Sequence, residues 1–215
     1  ALESWIPKTE LGKAVKHGKK MDIDKVLSSG RKILESEIVD TIVPGLQVDL
    51  ALIGQAKGKF GGGKRRAWRQ TQKKTMEGNA ITFSCMAIVG DRNGHIGVGY
   101  GKAGETLPSR EKAIRNAKLN IIKIARGFES PELESESGSQ HTVPYIVEGK
   151  CSSVKIKLIP APRGTGLVIA DECKKLLRLA GIKDVYGITN GQTRTTFNLV
   201  KACLQALSKT NSLRL

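Results

Sequence analysis

The sequence predicts an α+β fold in which a β-β-β-α unit is followed by a βαβα unit. Three observations favour this class. Asn93-Gly94 lies between two apolar runs, MAIVG and HIGVGYG, which is the pattern of a tight antiparallel hairpin. Strand-like runs are followed twice by stretches of helical periodicity. A basic segment and an acidic segment interrupt these patterns, and therefore mark boundaries along the chain.

Composition divides the chain into five parts. The segment 57–74 is rich in glycine and holds eight basic residues and no acid, whereas 128–137 holds four glutamates and no base. We expect the first to be mobile or ordered only by a partner, and the second to be a solvated linker. The predicted parts are an N-terminal extension with short helices (1–56), a basic glycine-rich ribbon (57–74), the β-β-β-α unit (75–127), an acidic linker (128–141) and a C-terminal α/β unit (142–215).

The N-terminal extension carries short helical patterns. Asp22 suits the start of a helix and Gly30 suits its end. The apolar stretch SEIVDTIVPGL then runs to a Pro-Gly stop. This part is predicted to be an appendage that packs on another part of the molecule.

The β-β-β-α unit begins with a weak strand, QKKTMEG, and continues through the hairpin to a helix over 107–126. Thr106 can cap this helix, and Pro108 fits its first turn. Spacing at 100° per residue predicts two faces. The apolar face comprises Ile114, Ala117, Ile121 and Ala125. The basic face comprises Lys112, Asn116 and Lys123, flanked by Arg115 and Arg126.

The C-terminal unit begins with two predicted strands, TVPYIVEG and SSVKIKLIPA. In the second, Val154, Ile156 and Leu158 alternate with two lysines, which predicts one buried face. A helix over 169–180 should end at Gly181. A short strand, IKDVYGI, and a helix over 195–208 complete the unit. The apolar stripe of the last helix comprises Phe197, Val200, Leu204 and Leu207.

The charge balance indicates a polyanionic partner. The 215 residues include 36 Lys and Arg against 20 acids, giving a formal net charge of +16. Aromatic residues make up only 4%, which argues against extensive base stacking. The four cysteines lack metal-site spacing and are predicted to be small buried hydrophobes in a reducing cytosol, with no metal. We expect a soluble, cytoplasmic protein without a membrane segment.

Two glycine motifs resemble nucleotide-binding signatures. Gly99, Gly101 and Gly104 are spaced G-x-G-x-x-G, but they follow an antiparallel hairpin, and no acid lies at 117–126 to hold a ribose. We interpret them as positions of tight turns or close backbone approach. The segment 58–65 lacks the hydroxyl of a P-loop, because Arg65 occupies that position. No nucleotide or other cofactor is predicted.

The basic ribbon is predicted to contact RNA. Lys64, Arg65, Arg66 and Arg69 would neutralise phosphates, and Trp68 could stack or act as a wedge. The alternative is a disordered, solvated tail.

A third glycine turn lies in PAPRGTGLVIADE (160–172). It could cradle a phosphate, but no set of catalytic side chains accompanies it, so we favour a structural turn with Arg163 as an RNA or partner contact. His17, His95 and His141 have no adjacent nucleophile and are predicted at turns or on the surface. No catalytic residue is predicted.

A shallow β-β-β-α layer with a basic helix suits double-stranded RNA, which is read by shape across phosphates and 2′-hydroxyls. Four segments then resemble the S-five family of small-subunit ribosomal proteins. They are AIVGDRNGHIGVGYGKA, REKAIRNAKLNIIKI, VEGKCSSVKIKLIPAPRGTGLV and LAGIKDVYG. The resemblance covers about residues 70–210. It implies a first domain of the double-stranded-RNA-binding type, followed by the C-terminal domain of that family.

The resemblance implies a structural constituent of the small ribosomal subunit. Such proteins bind small-subunit rRNA near the decoding region and the place where mRNA enters. They lie beside the small-subunit proteins numbered four, three and eight, and they support translational accuracy. The family's rRNA-directed loop corresponds to about 73–82. The predicted RNA-binding residues are Lys57, Lys59, Lys64, Arg65, Arg66, Trp68, Arg69, Lys73, Lys74, Lys102, Lys112, Arg115, Lys123, Arg126 and Arg163.

The chain departs from the bacterial pattern in two places. Asn79 and Ala80 stand where bacterial members carry a basic pair, and 1–56 has no bacterial counterpart. The extension and the ribbon resemble the archaeal version. Two alternatives stay open: a phosphate-transferring enzyme that uses the PRGTGL turn, and a double-stranded RNA chaperone outside the ribosome.

Overall fold

The structure is a computed structural model that describes residues 5–17, 22–56, 65–130 and 139–212. These residues form six helices and two sheets in which most strand pairs are antiparallel. The helices are α1 (Glu10–Lys16), α2 (Ile23–Ser28), α3 (Ser36–Ile42), α4 (Thr106–Leu119), α5 (Asp171–Ala180) and α6 (Thr196–Ser212). The strands are β1 (Gln47–Leu50), β2 (Trp68–Thr75), β3 (Gly78–Gly90), β4 (His95–Ala103), β5 (Ile121–Lys123), β6 (Val147–Cys151), β7 (Val154–Pro160), β8 (Leu167–Val168) and β9 (Val185–Asn190).

The first sheet has the order β1-β3-β4-β5, with β2 also paired to β3. Both of its faces are buried around β3, whose side chains alternate between them. Cys85, Ala87 and Val89 pack with Ala113 and Ala117 of α4 on one face. On the other face, the intervening residues of β3 belong to the main core, which includes α5. The first sheet is therefore a middle layer between two helices.

The second sheet has the order β6-β7-β9-β8, in which only the β8–β9 pair is parallel. The predicted alternation in β7 is confirmed, because Val154, Ile156 and Leu158 are buried and Lys155 is exposed. Helix α5 ends at Gly181 in the left-handed conformation, also as predicted. Helix α6 packs over β6 and β7, and together with α5 it closes the core.

The N-terminal helices follow the predicted signals. Asp22 is the N-cap of α2, Gly30 has a φ of 70°, and α3 ends before the Pro-Gly pair. Residues of α2 and α3 pack against Ile121, so the extension does dock on the rest of the molecule. Strand β1, which pairs with β3, was not predicted.

Three boundaries in the β-β-β-α unit differ from the prediction. Strand β2 begins at Trp68, so residues 68–74 form part of the sheet rather than of a mobile ribbon. Helix α4 ends at Leu119, because Ile121 enters β5 and pairs with Gly97. Its N-cap is Glu105, not Thr106. The apolar periodicity continued past the helix end because β5 is also buried.

The hairpin at 93–94 is present, but its loop comprises the four residues from 91 to 94. Positive φ angles occur at Arg92 (61°) and Gly94 (100°) rather than at Asn93. The carboxylate of Asp91 accepts the N–H groups of Asn93 at 2.7 Å and His95 at 3.1 Å. The Asp91 side chain therefore stabilises this four-residue loop, together with the Asp91 N–H, which donates to the His95 carbonyl at 3.4 Å.

Candidate nucleic-acid interface

A two-stranded hairpin projects from the first sheet. Strands β2 and β3 pair from Trp68 opposite Cys85 to Thr75 opposite Gly78, whereas β4 pairs with β3 only from Phe83 onward. Residues 71–82 therefore extend beyond the sheet, and we call them the projecting hairpin. The Oγ1 atoms of Thr71 and Thr82 hydrogen-bond across its base at 2.8 Å.

The projecting hairpin presents positive charge to solvent. Lys73 and Lys74 are exposed at adjacent positions of β2, so their side chains leave opposite faces of the hairpin. Glu77 is the only acid in this segment. At the base of the hairpin, Arg69 is also exposed, and its carbonyl accepts a hydrogen bond from Ser84 Oγ at 3.2 Å. A hydrogen-bonded strand pair thus carries three cations that the sequence placed in a flexible ribbon.

The residues before β2 are tied to the molecule. Arg65 Nη1 donates to Oγ1 of Thr196 at 3.2 Å, and the carbonyl of Arg66 accepts the Gly54 N–H at 2.9 Å. Trp68 is half-buried against the cluster under α4, which leaves only part of its ring for the stacking suggested by the sequence. The predicted contacts Lys57, Lys59 and Lys64 lie outside the described residues.

The exposed side of α4 carries Lys112 and Arg115, as predicted, and Lys102 is exposed on β4. The other two cations assigned to that helix face are not on the helix. Lys123 lies in β5, where its Nζ is 2.7 Å from Oδ2 of Asp24. Arg126 follows β5 and donates from Nη1 to the Arg92 carbonyl at 3.2 Å. Both lost the predicted position because α4 ends at Leu119.

Asp24, Asp91 and His95 form a cluster beside Lys123. His95 was predicted at a turn or on the surface, but it is only 8% exposed, with Asp91 Oδ2 2.6 Å from Nδ1 and Asp24 Oδ1 2.8 Å from Nε2. The hydrogen bond to Asp91 raises the pKa of His95, against the effect of burial. Hydrogen bonds from Lys123 and His95 lower the pKa of Asp24. Since Asp24 partly neutralises Lys123, this lysine is a weaker candidate for phosphate contact.

The PRGTGL turn is built as a structural turn. Gly164 and Gly166 have φ angles of 88° and 73°, and the Gly166 N–H donates to Oδ1 of Asp184 at 2.8 Å. The other oxygen of Asp184 lies 3.0 Å from Nδ1 of His141, which is buried rather than at the surface. The Gly166 N–H, which a bound phosphate would need as a donor, is therefore already hydrogen-bonded to the Asp184 carboxylate. Arg163 is exposed beside this turn.

A cationic cleft that the sequence did not reveal lies between the 91–94 loop and α5. It encloses about 690 Å³. Its five basic residues come from four separate segments, and sequence spacing links only the two on α5. They are Arg92, Arg126, Lys174, Arg178 and Lys183. Charge accumulates here because the fold, rather than a motif, brings the segments together.

The described residues contain no group of three or more His, Cys, Asp and Glu side chains arranged to hold a metal ion. All four cysteines are free thiols, and Cys85, Cys173 and Cys203 are buried. The hydrogen bond that the Cys203 thiol donates to Cys173 and full burial raise the pKa of Cys203. Within the described ranges, no helix has the length and apolar character needed to cross a membrane.

Two family profiles match the chain. Residues 67–125 match the ribosomal protein S5, N-terminal domain, and residues 149–214 match the ribosomal protein S5, C-terminal domain. The first match begins near the start of β2 and ends after β5. The second covers the C-terminal sheet with α5 and α6. Both matches therefore follow the observed elements.

Curated relatives extend the similarity over nearly the whole chain. The chain is 48% identical over 213 residues to small ribosomal subunit protein uS5 of Nanoarchaeum equitans, covering 99% of this chain and 90% of the relative. It is 42% identical to that of Aeropyrum pernix (97% and 88%) and 39% identical to that of Methanobrevibacter smithii (99% and 92%). With this identity over this length, the chain belongs to the ribosomal protein S5 family.

Proposed function

We propose that the chain is a structural constituent of the small ribosomal subunit and binds small-subunit rRNA in cytoplasmic ribosomes. Relatives that carry the small-subunit name cover the whole fold, including the N-terminal helices. A net charge of +16 suits a polyanionic partner. Neither alternative gains support from these relatives, and the carboxylate of Asp184 in the PRGTGL turn argues against phosphate transfer there.

The projecting hairpin is the observation that carries this proposal. Exposed lysines on a backbone that is already paired as two strands can reach phosphates with less chain ordering than an unstructured segment would need, so less entropy is lost on binding. Strands β2–β4 followed by α4 form the double-stranded-RNA-binding-like unit, and Lys112 and Arg115 supply its helix contacts. A-form RNA suits such a surface, because it is read through phosphates and 2′-hydroxyls rather than base edges.

The family resemblance supports a proposal for the position on the subunit. We propose that the hairpin faces rRNA near the decoding region, close to where mRNA enters. Small-subunit proteins four, three and eight would be its neighbours, and translational accuracy would be the property it supports. The remaining predicted contacts are kept as part of the RNA-facing surface. They are Lys57, Lys59, Lys64, Arg65, Arg66, Trp68, Lys102, Lys123, Arg126 and Arg163.

The salt dependence of rRNA binding tests this function. If the full chain neutralises about six phosphates, the logarithm of its affinity for a small-subunit rRNA transcript should fall against log salt with a slope of about −5. Replacing Arg69, Lys73 and Lys74 by Gln should bring the slope to about −3, because three phosphate contacts remain and each contributes about 0.9.

A matched control replaces three exposed cations of the N-terminal extension, Lys13, Arg31 and Lys32, by Gln. An equal change of slope in the control would show that only net charge matters, and would contradict a hairpin interface. Sedimentation separates the ribosomal role from a free RNA chaperone. The wild-type chain should travel with small subunits in a sucrose gradient, whereas a free chaperone would stay near the top.

A further inference from the structure

A second cleft lies between the first sheet and the start of α6, and it combines guanidinium groups with aromatic rings. It encloses about 760 Å³, which is within the range of about 300–1,000 Å³ typical of ligand pockets. Its walls come from the segment before β2, the base of the β2–β3 pair, β4 and the start of α6. The side chains that matter are Arg65, Arg69, Arg194, Tyr100 and Phe197.

The charge of this cleft is positive. Three arginines line it, two from the start of β2 and the residues just before it and one from the segment before α6. All three are exposed, and no Asp or Glu is among the described residues of its lining. Arg65 is held in place by its hydrogen bond to Thr196 at the start of α6. Guanidinium groups that lack a carboxylate in the cleft are available for phosphate, which they can bind through two parallel hydrogen bonds.

The aromatic pair distinguishes this cleft from an ordinary basic surface. The rings of Tyr100 and Phe197 have centroids 5.1 Å apart at an angle of 79°. Lys201 Nζ lies 4.4 Å from the centroid of Phe197. These contacts fix the two rings, while Tyr100 keeps 40% of its surface exposed. In a chain with 4% aromatic residues, a held and exposed ring beside three arginines is a local concentration of base-stacking capacity.

We propose that this cleft binds one unpaired nucleotide of RNA, with its base stacked on Tyr100 and its phosphates on the arginines. The proposal rests on the RNA-binding function above and names a site with a different preference. Unpaired bases stack on aromatic rings and guanidinium planes, whereas a base inside a duplex offers no free face. An acidic peptide would use the arginines but would gain little from the exposed ring.

The test compares two RNA probes on the full-length chain: a single-stranded oligoribonucleotide, and a blunt duplex of the same length. Tyr100→Leu should weaken binding of the single strand by about tenfold, because one stacked base is lost, and should leave duplex binding unchanged. Tyr100→Phe should retain single-strand binding. The matched control is Tyr186→Leu, which removes a tyrosine of equal exposure, 40%, on the other sheet.

Two further measurements test the site even if the Tyr100→Leu variant is unstable. Arg194→Gln should weaken single-strand binding and reduce the magnitude of its salt slope by about 0.7, since one phosphate contact on a single strand is removed. Ultraviolet irradiation of wild-type protein with the single strand should attach RNA to the peptides that contain Tyr100 or Phe197.

Three results would overturn the proposal that this cleft binds an unpaired nucleotide. Single-strand affinities of Tyr100→Leu and Tyr186→Leu that agree would exclude stacking on Tyr100. Crosslinks confined to other peptides would place the base elsewhere. A Tyr100→Leu variant that binds RNA normally but no longer enters small subunits would assign the cleft to a protein partner. By contrast, wild-type protein that binds neither probe nor the rRNA transcript would refute the proposed function itself.

Discussion

Asp24, Asp91 and His95 join three parts of the chain at one point: the N-terminal extension, the end of β3 and the start of β4. Asp91 is close to His95 in sequence, and its carboxylate also completes the loop between the strands. Asp24 is 71 residues away from His95. No local pattern could have revealed that contact, which is why the sequence predicted His95 only as a turn or surface residue and not as a buried one.

The charge state of His95 should make stability depend on pH. Its pKa is raised in the folded state, so its contribution is fully present below the unfolded value of 6.5 and is lost as pH rises through the folded value. In His95→Gln this contribution is absent. We expect the wild type to exceed the variant by about 2 kcal/mol in unfolding free energy at acidic pH near 6, with the difference shrinking toward pH 9, because charge-assisted hydrogen bonds contribute about 1.5–3 kcal/mol.

Urea unfolding of both proteins across this pH series measures the difference. A difference that stays constant with pH would show that His95 contributes by packing alone. Asp24 and Asp91 affect stability at acidic pH instead. Because their pKa values are lowered in the folded state, their contribution is present above the unfolded value of 3.8 and is lost only as pH falls below it. The two effects are therefore separable by pH.

At the scale of elements, helix α4 lies unusually close to β4. A Cβ added to Gly97, Gly99 or Gly101 would come within 2.1–2.2 Å of the α4 backbone. The facing side of the helix consists of the small residues Ser109, Ala113 and Ala117. Gly99 and Gly101 of the G-x-G-x-x-G pattern therefore serve backbone approach, which is one of the two interpretations drawn from the sequence, whereas an added Cβ at Gly104 would meet no atom within 4 Å. The sequence did not predict that three successive turns of α4 would pack against three alternate residues of β4.

Substitution at Gly99 tests this packing. In Gly99→Ala the new Cβ would meet the Ala117 nitrogen at 2.1 Å and the Ala113 oxygen at 2.3 Å, so the helix must move. We expect the free energy of unfolding to fall by about 3 kcal/mol, at the upper end of typical overpacking costs. The matched control is Gly104→Ala, where no atom lies within 4 Å. Chemical denaturation should show a large loss for the first variant and almost none for the second.

Sequence periodicity located most elements, and its errors have a common cause. Val154, Ile156 and Leu158 were placed correctly because an alternating strand is self-evident when its other face is polar. Ile121 was assigned to α4 because a buried residue continues an apolar pattern in either a helix or a strand. Only part of the candidate site could be predicted from the sequence. The exposure of lysines such as Lys73 can be predicted from the local run of charge. By contrast, only the tertiary fold brings Arg194 to the cleft that Tyr100 lines.

At the scale of the whole molecule, the two family domains share one core. Met86 and Ile88 of the first sheet, Leu176 and Leu177 of α5, and Val154 of the second sheet belong to the same buried cluster. The carbonyl of Leu179 accepts the backbone N–H of Arg92 at 2.9 Å, which ties α5 to the β3–β4 loop. The two sheets are therefore joined by continuous packing rather than by a linker alone.

This shared core predicts that both sheets lose stability together. Leu176→Ala removes a fully buried side chain of α5 and should lower the free energy of unfolding by about 2–5 kcal/mol, because a cavity remains. Hydrogen exchange in mild urea should then accelerate by a similar factor in β3 and in β7. Leu107→Ala, at a leucine of α4 that is 67% exposed, should change neither strand. Acceleration confined to β7 would mean that the two domains fold as separate units, and that α5 belongs energetically to the second domain alone.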